Sequence, residues 1–154
     1  MEINVFYDSG FEKAADEKWL KSIAEAVLTA EKQPDAELGI VLTGQAKISE
    51  LNRKYLNREG PTDVLAFALK GTPGEMPFPT PEDDVDHLGE VVISVEQAAL
   101  QAPRHHHSTQ REIAVLLVHG VLHLIGYDHG EADEEKVMSD KTKAILKGIP
   151  GNMP

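Results

Sequence analysis

A chain of 154 residues, 41% of them hydrophobic, is long enough for one domain with a proper core. It holds no cysteine, which excludes a disulfide framework, a thiol redox motif and a thiolate zinc finger. A formal net charge of −11 argues against broad, non-specific binding to nucleic acid, because such binding depends on neutralising phosphates.

The N-terminus MEINVFYDSG lacks the basic-then-apolar layout of a signal peptide, and no apolar run approaches membrane-spanning length. The expected location is the cytoplasm. Ile3–Tyr7 alternates apolar and polar residues and reads as a first strand, stopped by Asp8, Ser9 and Gly10. Trp19, Leu20, Ile23, Val27 and Leu28 fall on a helical period, predicting a helix over 16–31. Leu38–Leu42 is a short apolar run suited to a buried strand. Ile48, Leu51 and Tyr55 give a second helix ending near Asn57–Pro61, and Val64–Leu69 a third strand. Residues 71–86, rich in proline, glycine and acid, read as an exposed loop. Leu88–Ser94 makes a fourth strand and Val95–Ala102 begins a helix. Thr109 to Glu112 has the Thr-x-x-Glu form of a capping box and should open the next helix. A polar helix over 132–147 and a frayed tail over 148–154 complete the chain.

The helix after Thr109 carries the chemistry. His119 and His123 stand four residues apart, one helical turn, so both imidazoles can reach one ion. Gly126 supplies a helix stop, after which the chain can bend back and bring His129 round as a third ligand. Three nitrogens leave a tetrahedral zinc with one open position, the arrangement of a catalytic site. Apolar residues surround most of this helix (Ile113, Leu116, Leu117, Val118, Val121, Leu122, Leu124, Ile125), which predicts a central, covered element.

Such an ion acidifies bound water and polarises a carbonyl or phosphoryl oxygen, so the implied class is metal-assisted hydrolysis. A competing, non-catalytic class is a structural zinc closed by a fourth ligand, for which Asp128 is the nearest candidate. The spacing also overlaps the His-x3-His-x2-Gly-x2-His pattern of metzincin proteases. Their general-base glutamate is replaced here by Gly120, and Glu112, two turns earlier, is a distant substitute or part of the helix cap. The tract His105, His106, His107 is expected in a helix-to-helix loop, where it could take up additional nickel or zinc.

The motif HGVLHLIGYDH (119–129) resembles the signature of the YbeY-type endoribonucleases, the bacterial ribosomal-RNA maturation factors. Leu51-Asn52, Tyr55 and PTDVLAF (61–67) are similar to that family's LN…Y…PTDVLSF block, and LGEVVIS (88–94) to its LGDIVIS strand. The resemblance implies an α+β domain around a roughly four-stranded mixed sheet, packed with about five helices. The whole of 1–154 is then expected to form one YbeY-like metallo-hydrolase domain. It also implies one zinc per chain on His119, His123 and His129, and cleavage of single-stranded RNA. The family's roles imply 3′-end maturation of small-subunit ribosomal RNA and ribosome quality control. Implied partners are the ribosome, small-subunit protein S11 and an assembly GTPase, with no membrane.

Three positions depart from the pattern. An arginine that many members carry after the tyrosine is Leu56 here, the serine of PTDVLSF is Ala66, and the strand aspartate is Glu90. Residues 46–70 hold five bases against three acids, the least acidic segment of the chain. Arg58 or Arg53 in that segment is expected to stabilise charge building on phosphate. The alternative functions are a metalloprotease of metzincin-like ligand spacing and a zinc-stabilised ribosome-assembly factor without catalysis.

Overall fold

The computed structural model describes residues 1–60, 62–68, 86–127 and 132–149. In chain order these form β1 (Glu2–Tyr7), α1 (Glu17–Ala30), β2 (Ala36–Thr43), α2 (Gln45–Leu56), β3 (Val64–Ala68), β4 (Asp86–Ser94), α3 (Val95–Gln101), α4 (Thr109–Ile125) and α5 (Ala132–Lys147). A single 3-10 turn, Ala102–His105, extends α3. The expected loop (71–86) lies outside the described residues except for Asp86, which already begins β4. Of the expected frayed tail (148–154), residues 150–154 lie outside them, but Gly148 and Ile149 are not frayed: both N–H groups bond back to the last turn of α5, and Ile149 is buried against the main core. Among those residues no helix is long and apolar enough to cross a membrane.

The architecture is α+β, as expected: one mixed four-stranded sheet in the order β1-β2-β4-β3. β1 and β4 run parallel to β2, while β3 runs antiparallel to β4. Strand side chains alternate between faces, and this alternation sorts the core into two clusters. Val91 and Ile93 join Leu38, Ile40 and Leu42 in the larger cluster, beneath α1, α4 and α5. Val92 joins Leu65, Phe67 and Ile48 in a smaller one under α2. On α1, Asp16 caps the N-terminus by accepting from the Trp19 N–H at 3.0 Å, and Leu20, Ile23, Val27 and Leu28 form the buried stripe. α4 packs against α1, α3, α5, β3 and β4, which makes it the central helix its all-round apolarity predicts.

Glu90, the residue that departs from the resembled strand, has a pH consequence. Its carboxyl lies across Gly39 on β2, where an added Cβ would stand 1.7 Å from Oε2. Oε2 is buried with no hydrogen-bond partner among the described residues. Burial, and secondarily the Glu37 carboxylate, push the Glu90 carboxyl from 4.5 up to about 6. Between those values the folded protein keeps a proton that the unfolded chain has released, so stability falls as pH rises through the window. Glu90→Gln should therefore exceed the wild type in stability above the window, by on the order of 1 kcal/mol. Urea unfolding below and above it checks this; a wild-type-to-variant difference that does not change with pH would refute it.

Candidate metal centre

A cleft of about 410 Å³ opens where the start of β3, one turn of α4 and the loop after α2 meet. His119, His123, Arg58, Asp63, Val64 and Ala66 line it, together with Leu56. His119 is half-buried and His123 exposed, and the four-residue spacing brings both to the same opening. Gly120 between them presses on the sheet, where a Cβ would stand 2.5 Å from Val91 Cγ1. The position at which a metzincin carries its glutamate therefore has no room for a side chain of that size.

α4 ends at Gly126, whose φ of +120° falls in the region glycine adopts at little cost. The N–H of Tyr127 then donates to the Leu122 carbonyl at 3.0 Å. The Tyr127 hydroxyl donates to Glu31 at the end of α1, and Lys141 Nζ of α5 donates to the other Glu31 oxygen at 2.9 Å. This clamp fixes the direction in which the chain leaves the helix. His129, the expected third ligand, and Asp128 lie just beyond it, outside the described residues.

Of the two arginines, Arg58 lines the cleft, while Arg53 sits on the exposed side of α2 and is not among the lining residues. Asn52 explains the difference. It is buried on α2 beside Ile48, its carbonyl accepts from the Arg58 N–H at 3.2 Å, and its side chain donates to Gly60 O at 3.1 Å. With Asn57 in the left-handed conformation at φ 54°, the chain turns sharply and carries Arg58 into the cleft. Asn52 entered the sequence reading only within the resembled Leu51-Asn52 block, with no role of its own; a polar side chain one turn after Ile48 on the apolar face was the further signal.

Asp63 is a second such residue. Oδ1 accepts from the Val64 N–H at 2.8 Å and Oδ2 from Gln101 Nε2 at 3.3 Å, while its carbonyl accepts from the Ser94 N–H at 2.9 Å. Gln101 Nε2 also donates to Glu112 Oε2 at 2.8 Å.

Glu112 corrects the sequence expectation. The cap of α4 is Ser108, whose Oγ accepts from the Arg111 N–H at 3.1 Å, so the capping box at Thr109–Glu112 does not form. Nor is Glu112 among the residues lining the cleft, so it is no distant base for it. Its side chain is 1% exposed, and His105 Nδ1 (2.9 Å) and His107 Nε2 both meet Oε1. Burial works to raise its pKa, but hydrogen bonds from His105, His107 and Gln101 outweigh it and hold the carboxyl below its ordinary value. One ligand atom from each of His105, His107 and Glu112 lies within 4.8 Å of the others, so this group could hold a metal ion.

The chain's similarity to known proteins agrees with this arrangement of sheet, central helix and cleft. The family model described as Endoribonuclease YbeY matches residues 4–150, and the chain belongs to that family. An Endoribonuclease YbeY of Dehalococcoides mccartyi is 48% identical, over 97% of each chain. One from Thermobifida fusca is 40% identical, over 96% of this chain and 94% of that one. A solution structure of a Thermotoga maritima protein matches with a TM-score of 0.62 at 26% identity, covering 96% of this chain and 88% of that one.

Proposed function

We propose that the chain is a zinc-dependent, single-strand-specific endoribonuclease whose metal is held by His119, His123 and His129. The observation that carries this is the meeting of His119, His123 and Arg58 at one cleft, in a chain of the YbeY endoribonuclease family. The donor set fits: imidazoles one helical turn apart, with no thiolate in the chain to close the site. Bound zinc would supply Lewis acidity toward a phosphoryl group. Arg58 stabilises the negative charge that grows on phosphate, and Asn52 positions Arg58 through the loop after α2. Gln101 and the Val64 N–H hold the Asp63 carboxylate at the wall of the cleft.

Family membership supports a role in ribosomal-RNA processing, which we assign to the 3′ end of the small-subunit RNA and to ribosome quality control in the cytoplasm. At a net charge of −11 the protein gains little from long-range attraction to RNA, so recruitment falls to a ribosomal partner, small-subunit protein S11 or an assembly GTPase.

The test is cleavage of end-labelled single- and double-stranded RNA. Wild type should cut only the single strand. Arg58→Ala should lower that rate by about a hundredfold, on the scale of one lost transition-state donor, and Arg53→Ala should leave it near wild type. An unchanged rate in Arg58→Ala removes the arginine assignment. Absence of cleavage by the wild type favours the zinc-stabilised assembly factor.

A further inference from the structure

We propose that His105, His107 and Glu112 form a second cation site, separate from the His119–His123 cleft, which takes a divalent transition metal such as zinc or nickel. Two imidazoles converge on one oxygen of a carboxylate that is almost wholly buried. The second oxygen accepts from Gln101 Nε2 at 2.8 Å, which fixes the plane of the carboxyl group. A tetrahedral zinc with bonds of about 2.0–2.2 Å keeps nitrogen and oxygen ligands about 3.3 Å apart. The 2.9 Å between His105 Nδ1 and Glu112 Oε1 needs only a few tenths of an ångström to accept it, whereas His107 Nε2, which lies closer to the same oxygen, has to draw back further.

The site is open on one side, because the His105 side chain is 53% exposed. An ion can enter there and keep a water on its free position. Two imidazoles and one carboxylate suit zinc or nickel better than calcium or magnesium, which favour all-oxygen sites. His106 takes no part. It adopts the left-handed conformation at φ 59° and is exposed, and that reversal brings its two neighbours to one side. The donors are therefore a selected pair from the tract joined to a buried acid, not a run of three exposed histidines. Gln101 also reaches Asp63 in the cleft, so a hydrogen-bonded link joins the two places.

Zinc chloride is the probe. Full-length wild type, His105→Ala/His107→Ala, His106→Ala and His119→Ala/His123→Ala are loaded, dialysed and counted for metal, with circular dichroism confirming the fold of each. The His105/His107 variant should lose one zinc relative to wild type, and His106→Ala should lose none. The His119/His123 variant should retain the zinc that the His105/His107 variant lacks. Gln101→Ala should weaken binding at this site about tenfold or more, since it orients a ligand. A His105/His107 variant with the wild-type count overturns the site. Loss of zinc in His106→Ala overturns it too, by assigning the metal to the exposed tract. Loss of every zinc in the His119/His123 variant overturns its separateness. Each outcome stands whether or not the cleft cleaves RNA.

Discussion

His123→Ala is expected to abolish cleavage of single-stranded RNA, lowering the rate by roughly a thousandfold or more, the scale of several kcal/mol of lost charge stabilisation. The residue sits in the last turn of α4, exposed and facing the cleft, so its removal opens no cavity in the core. The metal-free variant should match metal-free wild type to within about 0.5 kcal/mol, as surface changes usually do. Added zinc should raise the melting temperature of the wild type more than that of the variant, because binding to the folded state alone stabilises it by mass action. Equal cleavage by the two proteins, purified identically, would mean that a contaminating nuclease does the cutting.

Gly89→Ala should have the largest effect on the fold, a loss of about 3 kcal/mol or more. Gly89 holds φ +138°, and a Cβ there would stand 1.9 Å from Phe67 O and 3.1 Å from Ala68 Cα. Both obstacles are backbone of the adjacent strand, so no rotamer change relieves them. β3 would have to leave β4, and with it the cleft wall of Asp63, Val64 and Ala66. Gly39→Ala is a useful contrast, since its obstacle is the Glu90 side chain, which can swing away. Urea unfolding decides the matter; a Gly89→Ala protein within about 1 kcal/mol of wild type would show that the strand pair yields easily.

Local pattern made most elements legible. Helical periodicity marked α1 and α2, alternation or short apolar runs marked the strands, and Gly126 ended α4 where a glycine stop was expected. The start of α4 was misplaced by one residue, because Ser108 and Thr109 are both good caps by residue type and it is Ser108 whose hydroxyl accepts from the Arg111 N–H. Glu112 then falls one residue too late for a capping box and turns inward to the histidines.

By itself the sequence determined the family, the alternation that builds a half-buried sheet, and the one-turn spacing that sets His119 and His123 on the same side of a helix. These are short-range properties, fixed by the period of an element and the residue types along it. Only the tertiary structure separated Arg58 from Arg53, brought Asp63 to the same cleft as the histidines, and joined Gln101 and Glu112 to His105 and His107. Those relations depend on how a loop leaves a helix and how β3 lies against α4. Contacts between separate elements decide both, and no spacing along the chain encodes them.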